Sequence, residues 1–236
     1  MATAGAQRLA AGGERFELVL RDPGSALALD AVRLAPESVL DLTDALHDSL
    51  LFVHEGRGTL SGNAVDGQTA LLVPATDRAI LASGEDHLAA VRATVGAATD
   101  LHAPMGLLEP VVALAAVEPG QATGARSFQL LHGPHNGSVR ATSFMGYIPP
   151  GRAPWHYHLY DEIVWVLRGE GRLHVGDTVE PLASGSAFRL HAREVHIVEN
   201  TQPVEELAVL GIFTPAGSPS AAYLTADVAE AYVFSG

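Results

Sequence analysis

His156 and His158 stand one residue apart, and Glu162 follows four residues after the second, in front of an apolar run that stops at Gly169 and Gly171. On a strand, positions i and i+2 face the same way, so both imidazoles share one side of the chain. The intervening Leu-Tyr-Asp is polar enough to turn or bulge and bring the Glu162 carboxylate beside them. A fourth partner has to come from a neighbouring strand, and His196, in "LHAREVHIVEN", is well placed. Three neutral imidazoles and one carboxylate suit a borderline-to-hard divalent transition ion, and an octahedral ion so held keeps open positions for other ligands.

Such ligands need a stiff frame, and the chain reads as strands. "RFELVL", "ALALDAVRLA", "SLLFVHE", "TALLVPA", "HLAAVRATV", "VRATSFMGYI", "EIVWVLRG", "SAFRL", "VHIVEN" and "EELAVLGIF" are short, rich in branched and aromatic residues, and bounded by Gly, Pro, Asp or Asn. That pattern predicts an all-β sandwich or barrel. The chain also repeats itself. "LLFVHEGRGTLSG" (50–62) lies on "IVWVLRGEGRLHVG" (163–176), with Gly56 and Gly58 on Gly169 and Gly171, and "TALLVPATDRAI" lies on "SAFRLHAREVHI". Each Gly-x-Gly sits between two strands, with no helix after it to hold a phosphate, so a nucleotide loop is not expected.

Carried to the first copy, the ligand positions become Thr43, Ala45, Ser49 and Ala79, none of which can replace an imidazole or carboxylate at a transition metal. His47 and His54 lack the spacing and read as rim residues. His132 and His135 have a possible metal spacing, but a Gly-Pro interrupts them and no carboxylate follows.

From Gly151 to Gly169 the chain resembles the first motif of the cupin superfamily. Gly176, Pro181, Gly185, His196 and Asn200 follow the order of its second motif. The resemblance spans 127–215 and, more weakly, 15–100. It implies an all-β bicupin: two jelly-roll barrels with short helices at the ends, a degenerate N-terminal barrel over 1–114, a linker over 115–126 and a metal-binding barrel over 127–236. Its metal ligands fall on His156, His158, Glu162 and His196, implying one divalent ion per chain, Fe, Mn, Ni or Zn.

Around those ligands, Tyr160, Asp161 and His191 are candidate catalytic groups. Arg152, in the loop before the ligand strand, could reach a substrate carboxylate. Phe144, Ile148, Val164 and Val166 are expected to line the pocket. Ile163 and Trp165 alternate with Val164 and Val166 and need cover from another barrel or another chain; Tyr157 is placed in the same kind of contact. The "PSAAYLTADVAEAYVF" stretch is expected to close one barrel as a short helix or strand.

Composition narrows the function. Forty-seven per cent of residues are hydrophobic and 17% charged, the formal charge is −13, and all 14 basic residues are Arg. That acidity repels a phosphate backbone, so no nucleic-acid partner is expected. With no Cys there is neither a disulfide nor a thiolate metal site. No run approaches a membrane span and the first residues lack a signal-peptide pattern, so a cytoplasmic protein, expected as a homodimer, is the reading. An oxygen-dependent, dioxygenase-type enzyme on a small enolic, catecholic or carboxylate substrate leads. The alternatives are a non-redox isomerase, decarboxylase or hydrolase, for which the ureidoglycine aminohydrolase family is an architectural precedent with a different ligand set, and a non-catalytic ligand-binding or sensory bicupin.

Overall fold

A computed structural model describes residues 7–8, 16–21, 25–96, 101–122 and 125–224. The chain is nearly all β, and the strands of the described residues form four antiparallel sheets. A six-stranded sheet orders Val111–Ala113, Thr69–Val73, Asp48–Glu55, Leu88–Val95, Leu27–Leu34 and Phe16–Arg21, and a four-stranded sheet of strands between residues 39 and 83 accompanies it. A seven-stranded sheet centred on Asp161–Arg168 and Leu207–Thr214 takes its strands from the later residues except at one edge, where Gln7–Arg8 pairs with Ser186–Leu190 and so crosses the expected boundary of the first unit, and a six-stranded sheet contains Glu170–Val175, His196–Asn200, His156–Tyr157 and Tyr223–Leu224.

All ten expected segments contain strand. Ser127–His132 is a further strand that the sequence reading passes over, and Gly120–Gln121, inside the expected linker, pairs with it. The two short 3-10 turns among the described residues, Leu114–Ala116 and Pro134–Asn136, flank that connection. Within the expected C-terminal element, 219–222 form a turn and coil, Tyr223–Leu224 is strand, and 225–234 lie outside the described residues. No helix among the described residues is long and apolar enough to cross a membrane.

The repeat has a physical basis in the glycines. Gly56 and Gly169 both take left-handed backbone, with φ of +87° and +98°. A Cβ on Gly58 would lie 1.9 Å from the Ala82 carbonyl oxygen, and one on Gly171 would lie 2.2 Å from that of Glu199. In each copy the first glycine turns the chain and the second lets two backbones meet. Asp48–Glu55 and Asp161–Arg168 are strands of equal length at the same place in the repeat.

Burial divides into three cores. Val32, Leu34, Leu51, Leu71 and Leu81 fill the first pair of sheets, and Val164, Val166, Phe188, Leu190 and Val209 fill the second. A third core lies between the two large sheets, where Leu29, Phe52 and Val91 meet Met145, Ile163, Trp165 and Leu210. The period-2 alternation of the Asp161–Arg168 strand is thus used on both faces: Val164 and Val166 pack within the second unit, while Ile163 and Trp165 pack against the first. Arg140 adds a polar tie, its Nη1 donating to the Leu46 carbonyl oxygen at 2.8 Å.

His132 belongs to this junction. It is fully buried, and its Nε2 donates to the Glu109 carbonyl oxygen at 3.1 Å. Burial holds its pKa down at about 4, so the folded protein keeps it neutral while the unfolded chain protonates it near the ordinary histidine value of ~6.5. The folded state therefore binds fewer protons across that window. Nothing is lost above about pH 6.5, and stability falls as pH drops from there to about 4, by on the order of 3 kcal/mol from this one group. Urea unfolding of His132→Gln, which keeps a donor for Glu109, should show a shallower acid-side fall than the wild type. Parallel curves for the two proteins would refute the assignment.

Candidate metal centre

The candidate ligands arrive on three strands. His156 opens the two-residue strand His156–Tyr157 and lies directly across from His196, the first residue of His196–Asn200. Glu162 sits on Asp161–Arg168, in register with Leu190 on one side and Phe213 on the other. His158 lies in the short turn between. His156, His158, His196 and Glu162 are all buried, and ligand nitrogens of the three histidines lie within 4.8 Å of one another.

Hydrogen bonds orient two of the rings. His156 Nδ1 donates to the Pro154 carbonyl oxygen at 2.9 Å, and His196 Nδ1 donates to that of Glu194, also at 2.9 Å. Each bond places the ring's proton on Nδ1 and leaves Nε2 with a free lone pair, the usual arrangement of a metal-binding histidine. His158 differs. Its Nδ1 is buried without a hydrogen-bond partner, and Glu162 Oε2 lies 3.4 Å from it, outside hydrogen-bond geometry. Two buried donor atoms side by side, unsatisfied by each other, fit a cation that both could hold.

Burial also sets the protonation states. It depresses His156 to about 4 and His158 to about 3, and takes His196 well below its ordinary value. It raises Glu162 to about 8, against the pull of Arg126. At neutral pH the three imidazoles thus offer lone pairs, while Glu162 holds a proton that a divalent cation would displace.

Neighbouring residues hold these groups in place. A Cβ on Gly211 would come within 2.7 Å of Glu162 Oε1 and 2.4 Å of the Phe144 ring, so only glycine leaves space for both. Asn200 Nδ2 donates to the Ile148 and Glu205 carbonyl oxygens at 2.8 and 2.7 Å, pinning the far end of the His196 strand. Tyr160 is stacked between His158 and Phe213, with ring centroids 4.6 and 3.9 Å away.

These four groups line a cavity of about 90 Å³ whose walls are mostly apolar. Phe144, Ile148, Val164 and Tyr160 lie on its wall, whereas Val166 is buried in the same core beyond it. Asp161 and His191 do not line the cavity. Asp161 accepts from the Ala192 N–H at 3.0 Å and faces the Arg189 guanidinium at 3.5 Å, and His191 is exposed. Arg152 is exposed too, on an adjoining groove. Within the chain Tyr157 packs on Tyr223, ring centroids 5.4 Å apart, rather than on the first unit: the C-terminal strand pairs with His156–Tyr157 and brings Tyr223 over it.

Sequence reasoning missed two wall segments. Arg126 and Phe128 enter from the connection between the two halves, and Pro219, Ser220 and Ala222 from the stretch before the C-terminal strand. Neither has a spacing that relates it to the histidines.

Residues 143–213 match the model of the Cupin domain. In three dimensions the chain is similar to several solved proteins. A mutant of Bacillus subtilis oxalate decarboxylase OxdC is 13% identical, with 99% of this chain and 85% of that one covered at a TM-score of 0.72. A Bacillus subtilis oxalate decarboxylase studied for its Mn(II) centres is 15% identical, with 89% and 76% covered at 0.69. AerE from Microcystis aeruginosa is 13% identical, with 90% and 98% covered at 0.69. Identities this low show a shared fold and no more. No curated protein sequence matches the chain.

Proposed function

We propose that residues 127–236 form the metal-binding barrel of a bicupin enzyme acting on a small molecule, with His156, His158, Glu162 and His196 as ligands and residues 1–114 as a barrel without a site. The observation that carries this reading is the convergence of three buried imidazoles, one of them with an unpartnered Nδ1, and a buried carboxyl on one apolar cavity. A closed structural site would leave no space beside its ligands. A bound divalent ion would supply Lewis acidity and, if redox-active, an electron path between substrate and O2.

The protein's own groups narrow the reaction. Hydrolysis wants a positioned proton shuttle beyond the ligands. Asp161 and His191 lie off the cavity wall, which leaves Tyr160, and burial raises the pKa of its hydroxyl, making it a reluctant proton donor. A mostly apolar chamber suits O2, so oxygen-dependent turnover is the first reading. Decarboxylation is the second, supported by the fold shared with proteins named oxalate decarboxylases.

One experiment separates them. Protein loaded anaerobically with Fe(II) or Mn(II) is given enols, catechols and 2-oxo acids while dissolved O2 and released CO2 are recorded. We expect O2 uptake with turnover that stops under argon. CO2 release undiminished under argon would transfer the assignment to decarboxylation, and water-dependent cleavage with neither signal would sink both.

A further inference from the structure

The three candidate ligand histidines are buried, and the cavity beside them holds about 90 Å³. A cavity that accepts benzene measures about 150 Å³. Passage of an organic molecule to the ring nitrogens therefore requires part of the wall to move. Most of that wall is sheet: Ile148, Val164, Val198 and Val209 lie on strands with neighbours on both sides. Pro219, Ser220 and Ala222 do not. They belong to the connection that follows Leu207–Thr214, and Ser220 lines the cavity while also being exposed, so the wall there is one chain thick.

This connection is held mainly by itself. Among the described residues, the hydrogen bonds of 218–222 stay within the segment. Ala221 N–H donates to the Ser218 carbonyl oxygen at 3.1 Å, Ala222 N–H donates to that of Ser220 at 2.9 Å, and the Ser218 and Ser220 hydroxyls lie 2.8 Å apart. Its two ends are fixed unequally. Gly217 is pinned to the buried Thr142 hydroxyl, donating to it at 3.0 Å and accepting from it at 2.9 Å. At the other end Tyr223–Leu224 pairs with His156–Tyr157 over two residues only, and the Tyr223 ring, 45% exposed, stacks on that of Tyr157. Strand alternation sets this ring pair outside the barrel, opposite to the cavity-lining His156 and Ala222. A two-residue edge pairing closed by a half-exposed ring is the kind of contact that opens locally while the rest of a fold stays intact.

We propose that residues 218–222 are a gate over the histidine cavity, hinged at Gly217 and latched by Tyr223 on Tyr157, and that release of the latch admits a small molecule to the imidazoles. Closure then shuts the chamber around what has entered. The latch also braces the strand that carries His156, whose other neighbour is His196–Asn200. That a substrate enters rests on the metal-centre reading; the gate does not, because it governs reach to the imidazoles with or without an ion.

Diethyl pyrocarbonate, which acylates neutral imidazole nitrogens, tests this on metal-stripped, full-length protein, with labelling of each histidine followed by peptide mass spectrometry. The chain has no Cys, so Tyr157→Cys/Tyr223→Cys introduces a single thiol pair, at directly opposed strand positions. Opposed antiparallel positions, with Cα atoms roughly 4.5–5.5 Å apart, suit a disulfide. The oxidised variant should label His156, His158 and His196 at least about tenfold more slowly than a Tyr157→Ser/Tyr223→Ser counterpart. Exposed His191 should label equally in both, and fully buried His132 should stay unlabelled in both as a check on the fold. In the otherwise native chain, Tyr223→Ala should speed labelling of the three site histidines by up to about tenfold, the worth of one aromatic pair. Equal site labelling with and without the disulfide, or an unchanged rate in Tyr223→Ala, overturns the proposal. The Tyr223→Ala comparison decides by itself if the disulfide does not form. Metal content of the wild type keeps the two readings apart: a chain that takes up no metal yet is slowed by the disulfide refutes the metal centre alone. One that holds metal and labels at equal rates refutes the gate alone.

Discussion

His196→Ala should take metal content from one equivalent per chain to none after dialysis, by plasma emission spectrometry. His196 faces His156 across a strand pair, and its ring is aimed by a 2.9 Å bond to the Glu194 carbonyl. Losing only the outer partner of such a ligand weakens metal binding by roughly 10–100-fold, so losing the ligand itself should exceed that. The remaining His156, His158 and Glu162 would leave one side of the site bare. In the first unit, Ala45→His should add no metal. The repeat positions there hold Thr43, Ser49 and Ala79, and Ala79 packs into an apolar core with Leu40, Leu42 and Leu81. Full stoichiometry in His196→Ala, or two equivalents in the wild type, would refute the single-site assignment.

The second large effect concerns the junction. Trp165 is 4% exposed in the core between the two large sheets, its ring centroid 5.0 Å from that of His54. Truncating a buried tryptophan costs about 3–5 kcal/mol, and a carboxylate in its place adds the penalty of an unpaired buried charge. Trp165→Glu should therefore lower the urea midpoint by an amount worth at least about 4 kcal/mol, and Trp165→Phe by much less. The test is unfolding followed by circular dichroism, and an unchanged midpoint for Trp165→Glu would mean that the first unit does not cover this face. The effect should reach the cavity as well, because Val164, the preceding residue on the strand, lies on its wall.

Much of this was legible in the residues. The strands could be read because each buries at least one face, and burial imposes branched and aromatic residues at short, regular intervals. The Gly-x-Gly repeat could be read because a left-handed turn and a backbone contact below 2.5 Å from any Cβ admit little but glycine. His156, His158 and Glu162 were visible together because strand periodicity and one turn bring them to one face within seven residues.

What could not be read depends on contacts between distant parts of the chain. The alternation of Val164 with Trp165 showed that both faces of the strand need cover, but not whether the cover would be the first unit or another chain; the packing of the two large sheets decided it. Asp161 and His191 sit beside the ligands in sequence yet off the cavity, since Asp161 is turned toward Ala192 and Arg189. Arg126 stands thirty residues before His156 in a stretch of glycine and alanine, and reaches the cavity because Ser127–His132 joins the same sheet as the Glu162 strand. Local spacing records which side chains share a strand face, because the backbone repeats every two residues. Which strands become neighbours is settled by the burial of whole sheets, and that alone brought a guanidinium to the histidines.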